Sequence, residues 1–238
     1  MNLTTPIYHL KRKARLLSRE SKVPLHEALN TVARGEGFCS WSLLASSFSM
    51  RSPSETLYAQ LKPGDLVLIG ARPGQGKTLL SLEVAVAAMK AGHRSFFFSL
   101  EYTAKECADR FRDIDADLSK FDGLFEFDGS DAINADHIIA RISSSSSGTI
   151  AVIDYLQLLD QRRDSPDLME QVVNLRIAAK RQGLIMLFIS QIDRSYDPQT
   201  KPCPDLSDVR LPNPLDLGLF DRTCFMHDRE LRLESHHA

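Results

Sequence analysis

The most constraining feature of the sequence is a glycine-rich loop between a short apolar run and a helical segment. The apolar run, DLVLIG at 65–70, is typical of a buried strand, and TLLSLEVAVAAMKAG at 78–92 is typical of a helix. Between them lies ARPGQGKT, residues 71–78. Gly74 and Gly76 let the backbone turn so that successive N–H groups point inward at phosphate oxygens. The stretch therefore predicts a strand–loop–helix unit that holds a nucleotide.

The loop supplies side chains as well as backbone groups for this purpose. Lys77 is placed to neutralise the β- and γ-phosphates, and the Thr78 hydroxyl is placed to ligate Mg²⁺. Ala71 occupies the first position of the GxxxxGK[ST] pattern, so the match is to a relaxed form, and a purely structural turn is the alternative. The expected nucleotide-binding residues are Ala71, Arg72, Pro73, Gly74, Gln75, Gly76, Lys77, Thr78 and Leu79.

Three further polar residues, Asp154, Glu101 and Gln191, each stand at the end of an apolar run. Ligands of parallel sheets bind at the carboxyl ends of the strands, so these side chains are expected to face the loop. We predict that Asp154 holds Mg²⁺ through water and that Glu101 polarises an attacking water. Gln191 is suited to sensing the γ-phosphate or orienting that water. The alternatives are a helix-capping role for Asp154 and an ordinary surface position for Glu101.

Short apolar runs alternate with helical segments from Leu61 onward. Such alternation predicts an α/β fold with a mostly parallel sheet covered by helices. The serine run at 143–147 is interpreted as a polar connection between a helix and a strand. The predicted strands lie within DLVLIG, RSFFFSLE, LFEFD, TIAVIDYLQLL and GLIMLFIS, and the later helices within HIIARI and MEQVVNLRIAAKRQG.

The N-terminal part of the chain differs from the rest. Residues 1–50 are interpreted as a small basic helical module, 51–60 as a linker, and 61–238 as the α/β domain. Between Lys11 and Arg34 there are seven basic residues and two acidic ones. This pattern is typical of a solvated helical face, and contact with nucleic acid or docking onto a partner protein remains open.

Composition excludes several other classes of protein. No apolar run approaches the roughly 18 residues needed to span a bilayer, and the basic N-terminus lacks the apolar core of a secretory signal. We therefore expect no membrane partner and a cytoplasmic location. The four cysteines are scattered without a CxxC pair, which indicates reduced thiols rather than metal or redox chemistry. A net charge of −2 leaves nucleic-acid binding to be decided by local patches.

In this order, these motifs resemble the RecA-like ATPase domain of DnaB-type replicative helicases. VIDYLQLL is the most specific of them, because many P-loop proteins share the loop alone. The resemblance implies a RecA-like P-loop core with ATP and Mg²⁺ as ligands and single-stranded DNA as partner. It also implies a homo-oligomer, as in a hexameric ring, with each site between subunits. The matching motifs are ARPGQGKT (71–78), FSLE (98–101), VIDYLQLL (152–159), SQIDRS (190–195) and SDVR (207–210).

The resemblance also implies a role for each site residue. Lys77 and Thr78 correspond to the Walker A pair, and Asp154 corresponds to the Walker B acid. Glu101 becomes the catalytic glutamate and Gln191 the sensor at the end of the next strand. The implied chemistry is therefore Mg²⁺-dependent ATP hydrolysis.

Basic residues follow Gln191 in a predicted loop. Arg194, Lys201 and Arg210 are the candidates for DNA contact, with solvated loop charges as the alternative. Residues after 210 are expected to be loop-like, because prolines stand at 204, 212 and 214.

The sequence also departs from the family pattern after residue 210. The later family strand, whose basic residues reach into a neighbouring site, is expected to be missing. Arg229 and Arg232 are then the late arginines that could replace them, although their spacing does not match. Since an arginine supplied in trans is worth about 10³-fold or more in phosphoryl transfer, its absence would leave slow hydrolysis.

Three functions compete at this point. The first is a DNA-dependent ATPase of the DnaB class, coupled to DNA binding or unwinding. The second is an ATP-responsive assembly or partner-binding module with little turnover, against which the two carboxylates Glu101 and Asp154 argue. A small-molecule P-loop kinase fits worse, because no arginine-rich lid follows the core.

Overall fold

The computed structural model describes residues 7–47, 52–160, 166–211, 213–227 and 230–236. The chain divides into two compact units, Met1–Ser52 and Pro53–Ala238. Arg229 and Pro212, both of which enter the sequence predictions, lie outside the described residues.

The first unit contains three helices, α1 (Ile7–Ser21), α2 (Leu25–Gly35) and α3 (Trp41–Ser47). Pro24 precedes α2, as proline often does at a helix start. Gly37 has a φ of 84°, which lets the chain reverse while the Phe38 N–H donates to the Ala33 carbonyl at 2.9 Å. Apolar side chains spaced four apart on α1 and α2 contribute to the small core, which consists of Leu10, Ala14, Ala28, Val32, Ala33 and Leu44.

The second unit is built on a seven-stranded sheet with the strand order β3-β2-β4-β5-β1-β6-β7. All neighbouring pairs are parallel except β6 and β7, which form an antiparallel hairpin. The strands are β1 (Leu66–Ala71), β2 (Ser95–Ser99), β3 (Phe125–Asp128), β4 (Ile150–Asp154), β5 (Ile185–Gln191), β6 (Arg222–His227) and β7 (Glu230–Ser235).

Successive strand residues point to opposite faces of the sheet, and each face is covered. Leu66 and Leu68 pack in one apolar cluster with residues of α7 and α8, whereas Val67 and Ile69 pack in a second with residues of α4, α5 and α6. The predicted mostly parallel α/β architecture is therefore confirmed. The helices are α4 (Pro53–Gln60), α5 (Lys77–Lys90), α6 (Ala104–Asp113), α7 (Ala135–Ile142) and α8 (Leu168–Gln182).

Two segments differ from the sequence predictions. The predicted linker at 51–60 is helical from residue 53 to residue 60, because Leu57 is fully buried in the second apolar cluster and holds α4 there. The region after 210, predicted to be loop-like, contains β6 and β7. The charged residue Arg222 at the start of β6 interrupts the apolar pattern that would predict a strand. Asp65 forms a 2.7 Å ion pair with Arg222, which compensates the cost of burying the Arg222 charge.

One apolar run also contains more than a strand. TIAVIDYLQLL forms β4 only as far as Asp154, and a 3₁₀ turn follows at Leu156–Asp160. Leu156, Leu158 and Leu159 are nevertheless buried in the first cluster, so their hydrophobicity reflects core packing.

Within the part of the chain that the structure describes, no helix has the length and apolar character needed to cross a membrane.

Candidate functional site

The sheet register brings the predicted site residues to one edge. In the strand order, β4, β5 and β1 are consecutive neighbours. Ala71 at the end of β1 lies opposite Gln191 at the end of β5, and Asp154 lies opposite Ile189. Ser99 at the end of β2 lies opposite Asp154 from the other side. The glycine-rich loop, Asp154 and Gln191 therefore share the carboxyl edge of the sheet.

The glycine-rich loop has the backbone conformation that a phosphate cradle requires. Gly74 and Gly76 have φ values of 78° and 87°, a region that other residues rarely adopt. An added Cβ at either position would meet no atom within 4 Å, so conformation rather than space explains the glycines. Gly76 caps α5 without a side-chain hydrogen bond, which leaves the N–H groups of the first turn to bind an anion.

Lys77 is folded back onto this loop. Its Nζ donates to the carbonyl oxygens of Ala71 at 2.9 Å and Arg72 at 3.1 Å. Burial lowers the pKa of Lys77, whereas the charges of Asp154 and Glu101 raise it. A phosphate in the loop would favour the charged ammonium further, since opposite charges stabilise one another at this range.

Thr78 and Asp154 form the second element of the site. The Thr78 hydroxyl donates to Oδ2 of Asp154 at 3.0 Å, and Asp154 is only 2% exposed. Burial raises the pKa of Asp154 to about 6, the Thr78 hydrogen bond opposes this shift, and the Glu101 charge adds to it. A buried carboxylate of this kind is poorly solvated and would be stabilised by a cation.

This pair of oxygen groups fits Mg²⁺. Among the described residues, no group of three or more His, Cys, Asp or Glu side chains is placed to hold a metal ion. Mg²⁺ usually keeps several waters and is held by one or two carboxylates together with phosphate oxygens. A hydroxyl and one carboxylate beside a phosphate loop are therefore sufficient.

Glu101 lies two residues beyond the end of β2 and is exposed. Its backbone N–H donates to the hydroxyl of buried Ser99 at 3.1 Å, which orients the turn that carries the carboxylate. The negative charge of Glu101 raises the pKa of both Lys77 and Asp154. Sequence reasoning missed the positioning contact of Ser99, although FSLE contains it.

The basic residues after β5 fall into two groups. Arg194 and Arg210 are exposed and line a cleft of about 290 Å³ together with Arg72, Pro73, Gln191 and Ile192. Lys201 instead forms ion pairs with Asp205 at 2.7 Å and Asp208 at 2.5 Å. Lys201 is therefore neutralised by carboxylates of its own loop. It does not line the cleft with Arg194 and Arg210, so the structure does not bring the three predicted DNA contacts together.

Comparisons with known proteins show what the chain is similar to. Residues 55–123 match the family model for the DnaB-like helicase C terminal domain. The chain is 25% identical over 201 residues to the replicative DNA helicase DnaB of Mycoplasma genitalium, covering 70% of this chain and 43% of that protein. It is 28% identical over 179 residues to DnaB of Helicobacter pylori strain J99, covering 62% of this chain and 37% of that protein. These matches support a DnaB-type RecA-fold domain in this chain.

Solved structures support the fold of this DnaB-type domain. One solved ATPase domain superposes with a TM-score of 0.55 at 21% identity, covering 84% of this chain and 82% of that one. A DnaB-like replicative helicase, described with its interactions with primase, gives 0.60 at 20% identity, covering 97% and 71%. The chain spans less than half the length of the curated DnaB relatives, 43% and 37% in the two cases above.

Proposed function

We propose that the chain is a Mg²⁺-dependent ATPase of the DnaB helicase type, with turnover coupled to single-stranded DNA. The observation that carries this proposal is the 3.0 Å contact between Thr78 and buried Asp154 beside the glycine-rich loop. A bound metal ion would explain why a carboxylate with a raised pKa is buried next to a phosphate cradle. The resemblance to DnaB helicases in sequence and fold supports the same interpretation.

Each residue then has a defined task. The loop N–H groups and Lys77 bind the phosphates, and Thr78 with Asp154 holds Mg²⁺. Bound Mg²⁺ neutralises charge that develops on the phosphate oxygens. Glu101 orients and polarises a water molecule, and exposure at the sheet edge gives its carboxylate access to solvent. Gln191, at the end of β5, is placed to sense the γ-phosphate.

The DNA half of the proposal rests on Arg194 and Arg210. Both are exposed, and both line the cleft beside the phosphate loop, where a nucleic-acid backbone phosphate would lie close to the nucleotide. Arginine is well suited to bind phosphate through a pair of N–H groups. The curated relatives are replicative DNA helicases by name, so we extend DNA binding and a role in DNA replication to this chain as parts of the proposal. The homo-oligomeric ring that the family resemblance implies is also part of it.

The decisive experiment measures ATP hydrolysis with and without single-stranded DNA for the wild type and for Glu101→Gln. Loss of the base should lower the hydrolysis rate by about 10²- to 10⁴-fold, while the neutral isostere keeps nucleotide affinity. A fluorescent ATP analogue measures that affinity separately. An unchanged hydrolysis rate in Glu101→Gln would remove this residue from the mechanism. Nucleotide binding with negligible wild-type turnover would instead identify an ATP-responsive partner-binding module.

The DNA contacts are tested by the double variant Arg194→Ala/Arg210→Ala. We expect it to lose DNA stimulation of hydrolysis and to keep ATP binding. The slope of log K against log salt for oligo-dT binding should fall by about 0.7 for each phosphate contact removed. Arg181→Ala is the matched control, because Arg181 is an exposed arginine on α8. DNA stimulation that persists in the double variant at the wild-type level would contradict the assignment.

A further inference from the structure

Arg72 contacts two functional parts of the second unit at once. Its carbonyl oxygen accepts a hydrogen bond from Lys77 Nζ at 3.1 Å. Its guanidinium extends in the other direction and donates to the carbonyl oxygens of Tyr196 and, at 3.3 Å, Arg194. The same guanidinium lies 5.3 Å from the centre of the Tyr196 ring. The main chain of Arg72 is therefore part of the phosphate loop, and its side chain contacts the segment after β5.

That segment, residues 192–210, is called the Tyr196 loop below. Its two ends are joined by a bridge between Ile192 and Val209, and the Asp193 N–H donates to the Asp208 carbonyl at 2.7 Å. The Arg210 N–H donates to the Gln191 carbonyl at 2.9 Å. The ends of the Tyr196 loop therefore form a closed base at the tip of β5.

The interior of the Tyr196 loop is also internally bonded. The Tyr196 hydroxyl donates to the Lys201 carbonyl at 2.8 Å, and the Lys201 ammonium pairs with Asp205 and Asp208. Tyr196 is only 3% exposed, and its ring meets the His227 ring edge-on at 5.6 Å. Because Arg72 contacts the Tyr196 ring and the carbonyls of both Arg194 and Tyr196, a displacement of Arg72 would be passed to the backbone that carries Arg194.

We propose that Arg72 is a positioning residue that couples the phosphate loop to the Tyr196 loop, so that nucleotide and single-stranded DNA alter each other's affinity. This inference rests on the proposed function, since it concerns communication between its two sites. A bound phosphate draws Lys77 Nζ away from the Arg72 carbonyl. The loss of this hydrogen bond shifts Arg72, and the Arg72 guanidinium transmits the shift to Tyr196. Coupling between two sites is reciprocal, so DNA must change nucleotide affinity by the same factor.

The test uses the charge-matched variant Arg72→Lys. Lysine keeps the positive charge but lacks the planar guanidinium, whose Nη2 donates to both carbonyls and which lies over the ring. Tyr196→Leu removes the ring from the other side of the contact. Tyr196→Phe is the conservative control, because it keeps the ring and loses only the hydroxyl. Circular dichroism and thermal melting identify any variant that fails to fold, and the remaining variants still decide the question.

The first readout is a ratio of dissociation constants. The Kd of a fluorescent, non-hydrolysable ATP analogue is measured without and with saturating oligo-dT, so each variant is normalised to its own nucleotide affinity. The wild-type ratio should lie in the range of about 5- to 150-fold. It should fall to about 1 in Arg72→Lys and Tyr196→Leu and stay near the wild-type value in Tyr196→Phe. Wild-type ratios in the first two variants would overturn the proposal.

The second readout needs no DNA, and it separates the coupling of the two loops from the proposed function in DNA binding. Hydrogen exchange of amides in the Tyr196 loop is compared with and without the ATP analogue. Nucleotide should change exchange there in the wild type and in Tyr196→Phe but not in Arg72→Lys. If it does so while oligo-dT does not bind, the link between the two loops stands, and the DNA half of the proposed function fails together with the predicted change in DNA affinity. If nucleotide binds and exchange in the wild-type loop does not change, the coupling is refuted.

Discussion

Replacing Asp154 with asparagine is expected to abolish ATP hydrolysis and, at the same time, to stabilise the nucleotide-free second unit. The loss of hydrolysis should reach at least about 10³-fold, because metal stabilisation of phosphate charge is worth several kcal/mol. The gain in stability follows from burial, which raises the pKa of Asp154 to about 6 from its ordinary value of 3.8. Ionised Asp154 then destabilises the folded state at neutral pH, by an amount on the order of 2–3 kcal/mol.

The pH dependence of this gain has a definite sign. The pKa of Asp154 is higher in the folded state than in the unfolded state, so its contribution to stability is complete below about pH 4 and is lost as pH rises through about 6. Asparagine removes this loss. The difference in stability between Asp154→Asn and the wild type should therefore be largest at pH 7 and shrink towards pH 4.

Chemical denaturation of both proteins at pH 7, 6, 5 and 4 measures that difference directly. Asp128→Asn is a control of opposite sign. Asp128 is also a buried aspartate at the end of a strand, but it pairs with His137 at 2.9 Å and with Arg141 at 3.3 Å. Its replacement should destabilise the fold. If Asp154→Asn were no more stable than the wild type at pH 7, burial would not be the dominant influence on Asp154.

Arg222→Met is expected to lower the stability of the second unit by about 3–5 kcal/mol. Arg222 Nε lies 2.7 Å from Oδ2 of Asp65, and the two side chains are 10% and 9% exposed. The guanidinium also donates to the Ser235 hydroxyl at 2.7 Å, so one side chain joins the starts of β1 and β6 to the end of β7. Methionine would leave the Asp65 carboxylate buried without its cation.

The double variant Asp65→Leu/Arg222→Met distinguishes this cause from simple loss of packing. Because it removes both charges, it should recover most of the stability, whereas a packing defect would persist or increase. Arg232→Met is the surface control. Arg232 pairs with Glu234 at side-chain exposures of 53% and 32%, so its loss should cost less than about 1 kcal/mol. Urea unfolding midpoints compare the four proteins.

The sequence predicts the site better than it predicts the sheet. Lys77, Thr78, Asp154 and Gln191 lie at one sheet edge as predicted, because parallel strands that alternate with helices have only one ligand-binding edge. Their proposed chemical roles remain predictions. Local patterns also identify the first five strands, because each is an apolar run between helical segments.

Features that depend on tertiary contacts are not predictable in this way. Arg222 makes β6 look polar until Asp65, 157 residues away in the chain, is known to pair with it. Lys201 resembles a solvated loop cation until the fold of the Tyr196 loop brings Asp205 and Asp208 to it. The contact between Arg72 and Tyr196 likewise depends on tertiary structure. No periodicity or motif in the sequence indicates any of these three pairings.

The β6–β7 hairpin also protects the sheet from unwanted strand pairing. β1, which carries the phosphate loop, is bonded to β5 on one side and to β6 on the other. Without the hairpin, β1 would become an edge strand with a row of unpaired backbone groups, and its sequence LVLIGA is apolar throughout. Such edges are templates for aggregation, whereas the β7 edge carries charged residues at Arg232 and Glu234. The hairpin thus keeps the apolar strand β1 in the interior of the sheet.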